Sequence, residues 1–501
     1  MNSIDRFLNN ITMYRLVLYV LGILSGLSIV FAFAGRLSST PTELVVSGGL
    51  LIVSAYVVDR VFGRLFNVPT NMESSLITAL ILFLIVQPAD SLVTGIALVA
   101  AGAISSASKF LLSYNNKHIF NPAAFAAALL SLTGLQATTW WIGNSAFWPF
   151  TLLLGLAVVR KIRRIPLFVV FIIVSTAVQA FVTVQGHHAF VTAMKQSLIA
   201  SPLLFLSTIM LTEPATMPPR RNQQLLFATI IAVLYVTGWK LGPLVIYPEV
   251  ALLLGNIYAF AVSPKFKVRL QLKEIQKVSD RVYNYVFQPD RRFNFLPGQY
   301  MEWTLAGVPY DTRGNRRTFT IASSPTEQEV HVGLKYYEPA SMYKATFAQL
   351  EPGDVVYASQ LAGNFTLKGN ERNKLVFIAG GIGITPFRSM IKYVTDQNLS
   401  VDIVLLYVAG DPEEFAYVEQ LNAARSVGVR TIPIVTAGGV SSPGVVSAKL
   451  SPELIRQLVP DYHERMFYIS GPNVMVDASK SFLHDLGVGR SNIKTDHFSG
   501  Y

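Results

Sequence analysis

The chain has 501 residues, of which 51% are hydrophobic and only 14% charged, and its formal net charge is +11. A soluble protein averages about a quarter charged residues, so part of this chain is expected to avoid water. It contains no cysteine, which excludes disulfides, zinc–thiolate sites, thiol catalysis and cysteine-ligated iron–sulfur clusters.

The charge is unevenly placed. Residues 1–264 hold 15 Lys/Arg and 7 Asp/Glu, against 26 and 23 in residues 265–501. The contrast predicts a membrane half followed by a soluble half. Lys and Arg beside apolar segments normally report topology, so the lipid bilayer is the expected partner and nucleic acid is not.

Ten apolar segments precede residue 264, at approximately 14–33, 44–61, 76–86, 92–112, 120–135, 147–159, 166–184, 198–210, 225–235 and 244–261. Even-numbered loops carry Arg60, Arg64, Lys109, Lys117, the basic run 160–164, Arg220 and Arg221; odd-numbered loops carry only Arg36, Lys195 and Lys240. This bias predicts a multi-pass protein of the cell membrane with the N-terminus and residues 265–501 in the cytoplasm. The run 160–164 is equally suited to anionic lipid, on the same topology. Residues 1–15 are polar, and no cleavable leader is expected.

Several segments are shorter than the roughly 20 residues that cross a bilayer. Two of them, SSLITALILFLIVQPAD (74–90) and SPLLFLSTIMLTEPATM (201–217), both end in a polar residue, Pro and Ala. Paired interruptions of this kind predict an internal repeat with broken helices. Their ends either line a cofactor or ion site or simply close a helix at the interface. Glu213 and Glu249 are among the few acids that fall in or beside the apolar stretches. A buried carboxylate is expensive unless paired or hydrated, so both are open to proton or sodium handling and, equally, to capping a broken helix.

Five motifs occur in order: HIFNPAAFAAALL (118–130), LQATTWW (135–141), RRIPLF (163–168), MLTEPATMP (210–218) and YPEVALLLGN (247–256). Over residues 75–261 the chain thereby resembles the B subunit of sodium-translocating NADH:quinone reductase and the D subunit of the Rnf complex. The resemblance implies a ten-helix inverted repeat carrying flavin in an electron path. Its motif positions make Asn121, Thr138, Thr139, Glu213, Thr216, Glu249 and Asn256 the membrane-site candidates. Family members attach FMN covalently to a Thr in a Ser-Gly-Ala-Thr sequence after the Thr-Thr-Trp motif. Here Trp141 runs through IGNSAFWPF directly into the next helix. Covalent FMN is therefore not expected, and Thr138 and Thr139 are poor substitutes. A non-covalent FMN or riboflavin, or a quinone, stays open at that place.

From residue 265 the pattern changes to short β-rich runs such as VYNYVFQPD (282–290) and EVHVGLKYY (329–337), with PGQYMEW (297–303) leading from a turn into a strand. These predict a small β-barrel over 265–368. KLVFIAGGIGITPFRSMIKYV (374–394) then reads as strand, glycine turn and helix. Further strands at 401–408, 430–435 and 466–472, with a helix at 413–424, predict a doubly wound α/β domain over 369–501. Glycines in Gly380-Gly381-Ile382-Gly383 let backbone N–H groups approach a phosphate ahead of a helix start.

The run Arg317-Thr318-Phe319-Thr320 offers a cation for pyrophosphate, a ring to stack on isoalloxazine and a hydroxyl for its N5 edge. Joined to PGQY upstream and GGIGITP downstream, it resembles the ferredoxin–NADP reductase superfamily over residues 266–501. That resemblance implies FAD on the barrel and NADH or NADPH on the second domain. It assigns Arg317, Phe319, Thr320, Lys335, Ser341, Met342 and Tyr343 to FAD, and Gly380, Gly381, Gly383, Thr385, Gly471 and Pro472 to the nicotinamide nucleotide. Ser470 stands where the family often has Cys, and Phe498 matches the aromatic that covers the flavin. Thr320, Ser470 and Phe498 are thus the catalytic candidates; Asp496 and His497 receive no role. After LLYV, Asp411, Glu413 and Glu414 suit ribose hydroxyls and repel a 2′-phosphate, which favours NADH.

Together the halves predict a membrane-bound flavoprotein oxidoreductase. Electrons would pass from cytoplasmic NAD(P)H through FAD to a membrane flavin, a quinone or an acceptor across the bilayer, with partner subunits left open. The alternative is a transporter or ion-translocating protein gated by or coupled to its redox domain. A haem reductase is disfavoured because His118, His187 and His188 fall in loops or at segment ends. No metal site is expected.

Overall fold

A computed structural model describes residues 11–66, 70–114, 117–185, 190–241, 244–263, 267–305, 316–337, 340–367, 369–370, 373–437 and 443–498. The chain divides into two compact units, Met1–Lys265 and Phe266–Tyr501.

The first unit is helical, and each expected apolar segment contains a helix: α1 (Met13–Phe33), α2 (Pro41–Leu65), α3 (Met72–Ile85), α4 (Leu92–Leu111), α5 (Pro122–Thr133), α6 (Trp148–Lys161), α7 (Ile165–Gln185), α8 (Phe190–Ile199) with α9 (Leu203–Met210), α10 (Arg221–Thr237) and α11 (Pro248–Val262). Four of them, α1, α2, α4 and α7, are long and apolar enough to cross a membrane, or five spans if α8 and α9, bent by 48°, count as one. The remaining apolar helices α3, α5 and α11 have only 14, 12 and 15 residues. Helix starts are written locally. Thr40 and Glu43 cap α2 reciprocally with Pro41 behind them, and Asn121 caps α5 ahead of Pro122, which Gly134 ends in a left-handed turn.

Both interrupted segments leave helical geometry where expected. After α3, Val86 forms an antiparallel bridge with Thr138. The Gln87 N–H donates to Ala137 O (3.1 Å) and the Trp140 N–H to Ile85 O (2.8 Å). Gln136 Nε2 donates to Gln87 O (3.0 Å) and Trp141 Nε1 to Val86 O (3.0 Å). LQATTWW is thus the strip that satisfies the backbone freed at the first break, the condition for non-helical chain in apolar surroundings. In the second, α9 widens into a π-turn over Leu206–Met210 and then turns through 211–217. Gly155 of α6 packs on that turn so closely that a Cβ would lie 2.3 Å from Thr208 Oγ1.

The order of broken helix, long helix, two-stranded hairpin and Pro-initiated short helix occurs twice. It runs α3, α4, β1/β2 (Ser113–Tyr114, Lys117–His118), α5, and then α9, α10, β3/β4 (Lys240–Leu241, Leu244–Val245), α11.

The second unit holds two six-stranded sheets. The first is a curled antiparallel sheet in the order β8-β7-β10-β5-β6-β9, built from β5 (Val268–Lys277), β6 (Val282–Pro289), β7 (Tyr300–Thr304), β8 (Arg316–Thr320), β9 (Val330–Lys335) and β10 (Val355–Ala362). Val268, Leu270 and Leu272 alternate inward along β5, and Phe287, Trp303 and Phe347 fill the core. Helix α12 (Met342–Ala348) closes it. The second sheet is parallel, ordered β14-β13-β12-β11-β15-β16, from β11 (Lys374–Gly380), β12 (Asp402–Ala409), β13 (Val429–Val435), β14 (Val446–Ser447), β15 (Met466–Pro472) and β16 (Ile493–Phe498). Helices α13 (Thr385–Asp396), α14 (Val418–Ala423), α15 (Pro452–Leu458) and α16 (Asn473–Asp485) accompany it. The expected helix over 413–424 is not continuous. Tyr417 adopts φ +63°, so a 3-10 turn over Pro412–Glu414 stops and α14 begins only at Val418.

Candidate active site

In the helical unit, the predicted residues gather into two polar clusters. Asn121 Nδ2 and Thr216 Oγ1 both donate to Glu213 Oε2 (2.9 and 2.8 Å), while His118 Nε2 lies 3.2 Å from Oε1. Asn256 accepts from the Asn121 N–H (2.9 Å) and donates to Thr216 O (3.3 Å). A cavity beside this cluster is lined by Tyr14, Ser74, Lys109, Asn121 and Glu213, with Val17, Ile77 and Ile209 as apolar wall. Lys109 Nζ donates to Ser74 O (3.3 Å) and lies 3.9 Å from Asp59.

The second cluster surrounds Glu249, fully buried in the first turn of α11. Thr138 Oγ1 (2.6 Å), Ser131 Oγ (3.2 Å) and Trp140 Nε1 (2.8 Å) donate to it. The strip 136–141 is thereby pinned at one edge to the first break and at the other to α11. Thr139 is exposed and joins neither cluster. His118 sits on β2 facing Glu213, and His187 and His188 lie outside the described residues.

In the second unit, β8 pairs with β7 so that Arg317 stands opposite Trp303 and Phe319 opposite Met301. Arg317 and Phe319 converge on Tyr343, the guanidinium carbon 5.1 Å and the phenyl ring 5.9 Å from its ring centre. Tyr343 is core: its hydroxyl donates to Trp303 O (3.2 Å), and burial pushes its phenol well above the ordinary value. It is a floor under the two predicted flavin residues. Ser341 caps α12, accepting from the Lys344 N–H (3.3 Å), with Met342 exposed. Thr320 is buried beside Tyr300. Lys335 is also buried, but its ammonium is committed to Glu414 at 2.8 Å.

The glycines after β11 divide by function. A Cβ on Gly380 would lie 2.3 Å from Met475 Sδ, and one on Gly383 would lie 2.4 Å from Ser470 O. Those two permit tight packing. Gly381 has φ +52° and open space around it, a backbone conformation that side chains with a Cβ rarely adopt. Thr385 is buried at the start of α13, donating to Ile382 O (3.1 Å). Ser470 lies opposite Ala379 on β15, and its buried Oγ has no partner among the described residues. Strand β16 carries the backbone of Asp496, His497 and Phe498 past Ser470, Gly471 and Pro472; the side chains of His497 and Phe498 lie outside the described residues.

Sequence reasoning missed the polar cluster between the two sheets. Arg388 of α13 is buried, with Glu327, His331, Asn284 and Tyr417 around it. The donors Asn284 Nδ2 and Arg388 Nη2 both point at His331 Nδ1 (3.2 and 3.4 Å), which makes the ring neutral with its proton on Nε2. Burial, then the adjacent Arg388, lowers the pKa of His331 from 6.5 to about 4. The signal available in the sequence was a lone Arg within an apolar helix face.

Residues 377–481 match the family model described as oxidoreductase NAD-binding domain. The match begins inside β11 and runs through the glycine turn, Ser470 and α16. The second unit is thereby similar to NAD(P)H-dependent flavin oxidoreductases of the ferredoxin–NADP reductase type. Among relatives of this reductase module, the glycine betaine monooxygenase reductase subunit of Chromohalobacter salexigens is 25% identical over 234 residues, which are 45% of this chain and 62% of that protein. The propane 2-monooxygenase reductase component of Mycolicibacterium smegmatis is 23% identical over 256 residues, 49% of this chain and 70% of that one. The chain therefore spans under two thirds of the first of these relatives. Among solved structures, the flavohem-like FAD/NAD binding domain of nitric oxide dioxygenase from Vibrio cholerae is 21% identical, covered at 98% by 46% of this chain, with a TM-score of 0.41.

The residues of the reductase module fit its two cofactors. Arg317 over the Tyr343 floor offers charge to a pyrophosphate and Phe319 a ring face to a flat heterocycle. On the nicotinamide side, the unpartnered Ser470 Oγ and the open backbone of Gly381 are what an amide and a phosphate require. Asp411 accepts from the Glu413 N–H (3.1 Å) and Glu414 from the Gly410 N–H (3.2 Å). Glu414 pairs with Lys335, and Asp411 and Glu413 are exposed.

Proposed function

We propose that this protein is a membrane-bound NAD(P)H oxidoreductase whose reductase module feeds electrons into its helical unit, and from there to a bound flavin, a quinone or an acceptor across the bilayer. The observation that carries this reading is the union, in one chain, of a flavin–nicotinamide module with a helical unit whose two breaks are each held in a polar cluster. Bound FAD would supply the conversion of a two-electron donor into single-electron steps. Arg317 and Ser341 would hold its pyrophosphate end, Phe319 its ring face, and Thr320 its ring edge. Gly381 and Thr385 would receive the nicotinamide nucleotide, with Ser470 on the nicotinamide. Asp411 and Glu413 favour NADH over NADPH, since carboxylates suit ribose hydroxyls and repel phosphate.

For the helical unit we infer kinship with the B subunit of sodium-translocating NADH:quinone reductase and the D subunit of Rnf, built as a ten-segment inverted repeat. Contacts between its motifs support this. Asn121 of HIFNPAAF meets Glu213 of MLTEPATMP, and the Thr-Thr-Trp strip meets Glu249 of YPEVALLLGN. Residues 266–501 would then lie in the cytoplasm of a cell-membrane protein, where reduced nicotinamide is found.

Flavin analysis of the detergent-purified protein, before and after acid precipitation, tests the reading. FAD together with an acid-extractable FMN or riboflavin is expected if a second flavin serves the helical unit, and FAD alone if quinone is reduced directly. Flavin held in the precipitate would contradict non-covalent attachment. No flavin at all would remove the basis for the Arg317–Thr320 assignment.

A further inference from the structure

We propose that Arg388 is a positioning residue, clamping the nicotinamide-binding helix to the flavin-binding strand and so setting the geometry of hydride transfer; this rests on the reductase reading above. Arg388 follows Thr385 by three residues on α13, and all five of its guanidinium N–H groups have acceptors. Nε donates to Gln420 Oε1 (2.9 Å) on α14. Nη1 donates to Ala322 O (2.9 Å) and to Glu327 Oε2. Nη2 donates to Glu327 Oε1 (2.9 Å) and faces His331 Nδ1 (3.4 Å). Ala322 lies two residues beyond Thr320, just past the end of β8, the strand that carries Arg317 and Phe319. The guanidinium therefore links the two cofactor-bearing motifs directly.

Its surroundings allow little slack. The Arg388 side chain is 1% exposed and that of Glu327 15%. Ser389 Oγ donates to Ser323 O (2.6 Å), and Thr326 Oγ1 to Asp396. On the facing strand β9, a Cβ at Gly333 would lie 2.5 Å from the Tyr417 hydroxyl and 2.7 Å from Thr385 Cγ2. Reacting atoms must approach to about 3–3.5 Å, and a misplacement of roughly 1 Å costs on the order of a hundredfold in rate. A planar five-donor fork holds such a joint where an ammonium cannot.

The test uses the full-length protein and the variants Arg388→Gln, Arg388→Lys and Glu327→Gln. Rapid mixing with NADH reads the limiting rate of flavin reduction and the long-wavelength band of nicotinamide stacked on flavin. Hydrogen–deuterium exchange without added NADH reads residues 321–331 and 385–396. Arg388→Gln and Glu327→Gln are expected to lower the limiting rate at least tenfold and weaken the band. FAD content and half-saturating NADH should stay within about twofold, with exchange rising in both segments together. Arg388→Lys, which keeps the charge, should recover part of the rate. Unchanged rate, band and exchange in Arg388→Gln would overturn the clamp. If that variant does not fold, Ser389→Ala with Thr326→Ala decides the matter through the same band and exchange readouts. A wild-type protein whose flavin NADH does not reduce would instead defeat the reductase reading and leave the joint to the exchange data.

Discussion

At the scale of single residues, Glu249 and His331 show how differently a buried titratable group is used. Glu249 accepts three side-chain hydrogen bonds that tie strip 136–141 to α11. Glu249→Ala would leave those donors buried without an acceptor, at a cost of about 2–5 kcal/mol. A marked fall in the melting temperature of the detergent-solubilised protein is expected, with Glu249→Gln milder. His331 is held neutral by burial and by Arg388, against the opposing pull of Glu327 and Glu329, with Lys273 also nearby. Its folded pKa, about 4, lies below the ordinary 6.5, so the unfolded chain binds the extra proton first. Its stabilising share is then fully present above pH 6.5 and is lost as pH falls towards about 4, at up to about 1.4 kcal/mol per pH unit. Denaturant titrations of wild type and His331→Gln across that window should differ in slope, the variant being the flatter. Equal slopes would show that another group carries the acid sensitivity.

At the scale of elements, the strands around the cofactor motifs and the positions of both helix breaks were legible in the sequence. Alternation along β5 and the turn residues flanking β6 and β7 are local signals. The Pro after each polar residue at 87–88 and 213–214 marks where a helix must stop. Legibility ended where partners come from far along the chain. The pairing of Lys335 with Glu414, in the turn after β12, is written in neither local motif. The helix expected at 413–424 fails because Tyr417 takes a left-handed conformation and its hydroxyl reaches Asn284 (3.2 Å). Arg388 stood out only as a lone Arg among apolar neighbours, since its acceptors at 322, 327, 331 and 420 are revealed by the fold alone. The glycine turn is also clearer with its neighbours in place. Gly381→Ala puts a methyl into open space at φ +52°, a backbone cost of about 1–2 kcal/mol. It is expected to raise half-saturating NADH about tenfold while FAD content stays unchanged. Gly383→Ala meets Ser470 O and should instead lower the melting temperature. Identical profiles for the two variants would refute the division of roles.

At the scale of the whole molecule, composition alone separates a charge-poor half from a charge-rich half, and the chain divides into units at nearly the same residue. The reductase half was readable because its motifs are contiguous and each carries a recognisable chemistry. In the helical half the sequence pattern located the apolar segments, but among the described residues four helices, or five spans with the bent pair, have the length and hydropathy of a spanning helix. The short helices α3, α5 and α11 end or begin at the two polar clusters.

Passage of electrons from the reductase module into the helical unit can be followed in proteoliposomes. Full-length protein would be supplied with external NADH and either a membrane-soluble quinone or ferricyanide trapped inside. External ferricyanide reports the reductase module alone. Wild type is expected to reduce the quinone or the trapped acceptor. Glu213→Ala should lose at least tenfold of that activity while reducing external ferricyanide at the wild-type rate. NADH-driven reduction of external ferricyanide alone, or undiminished quinone or trapped-acceptor reduction by Glu213→Ala, would contradict the account.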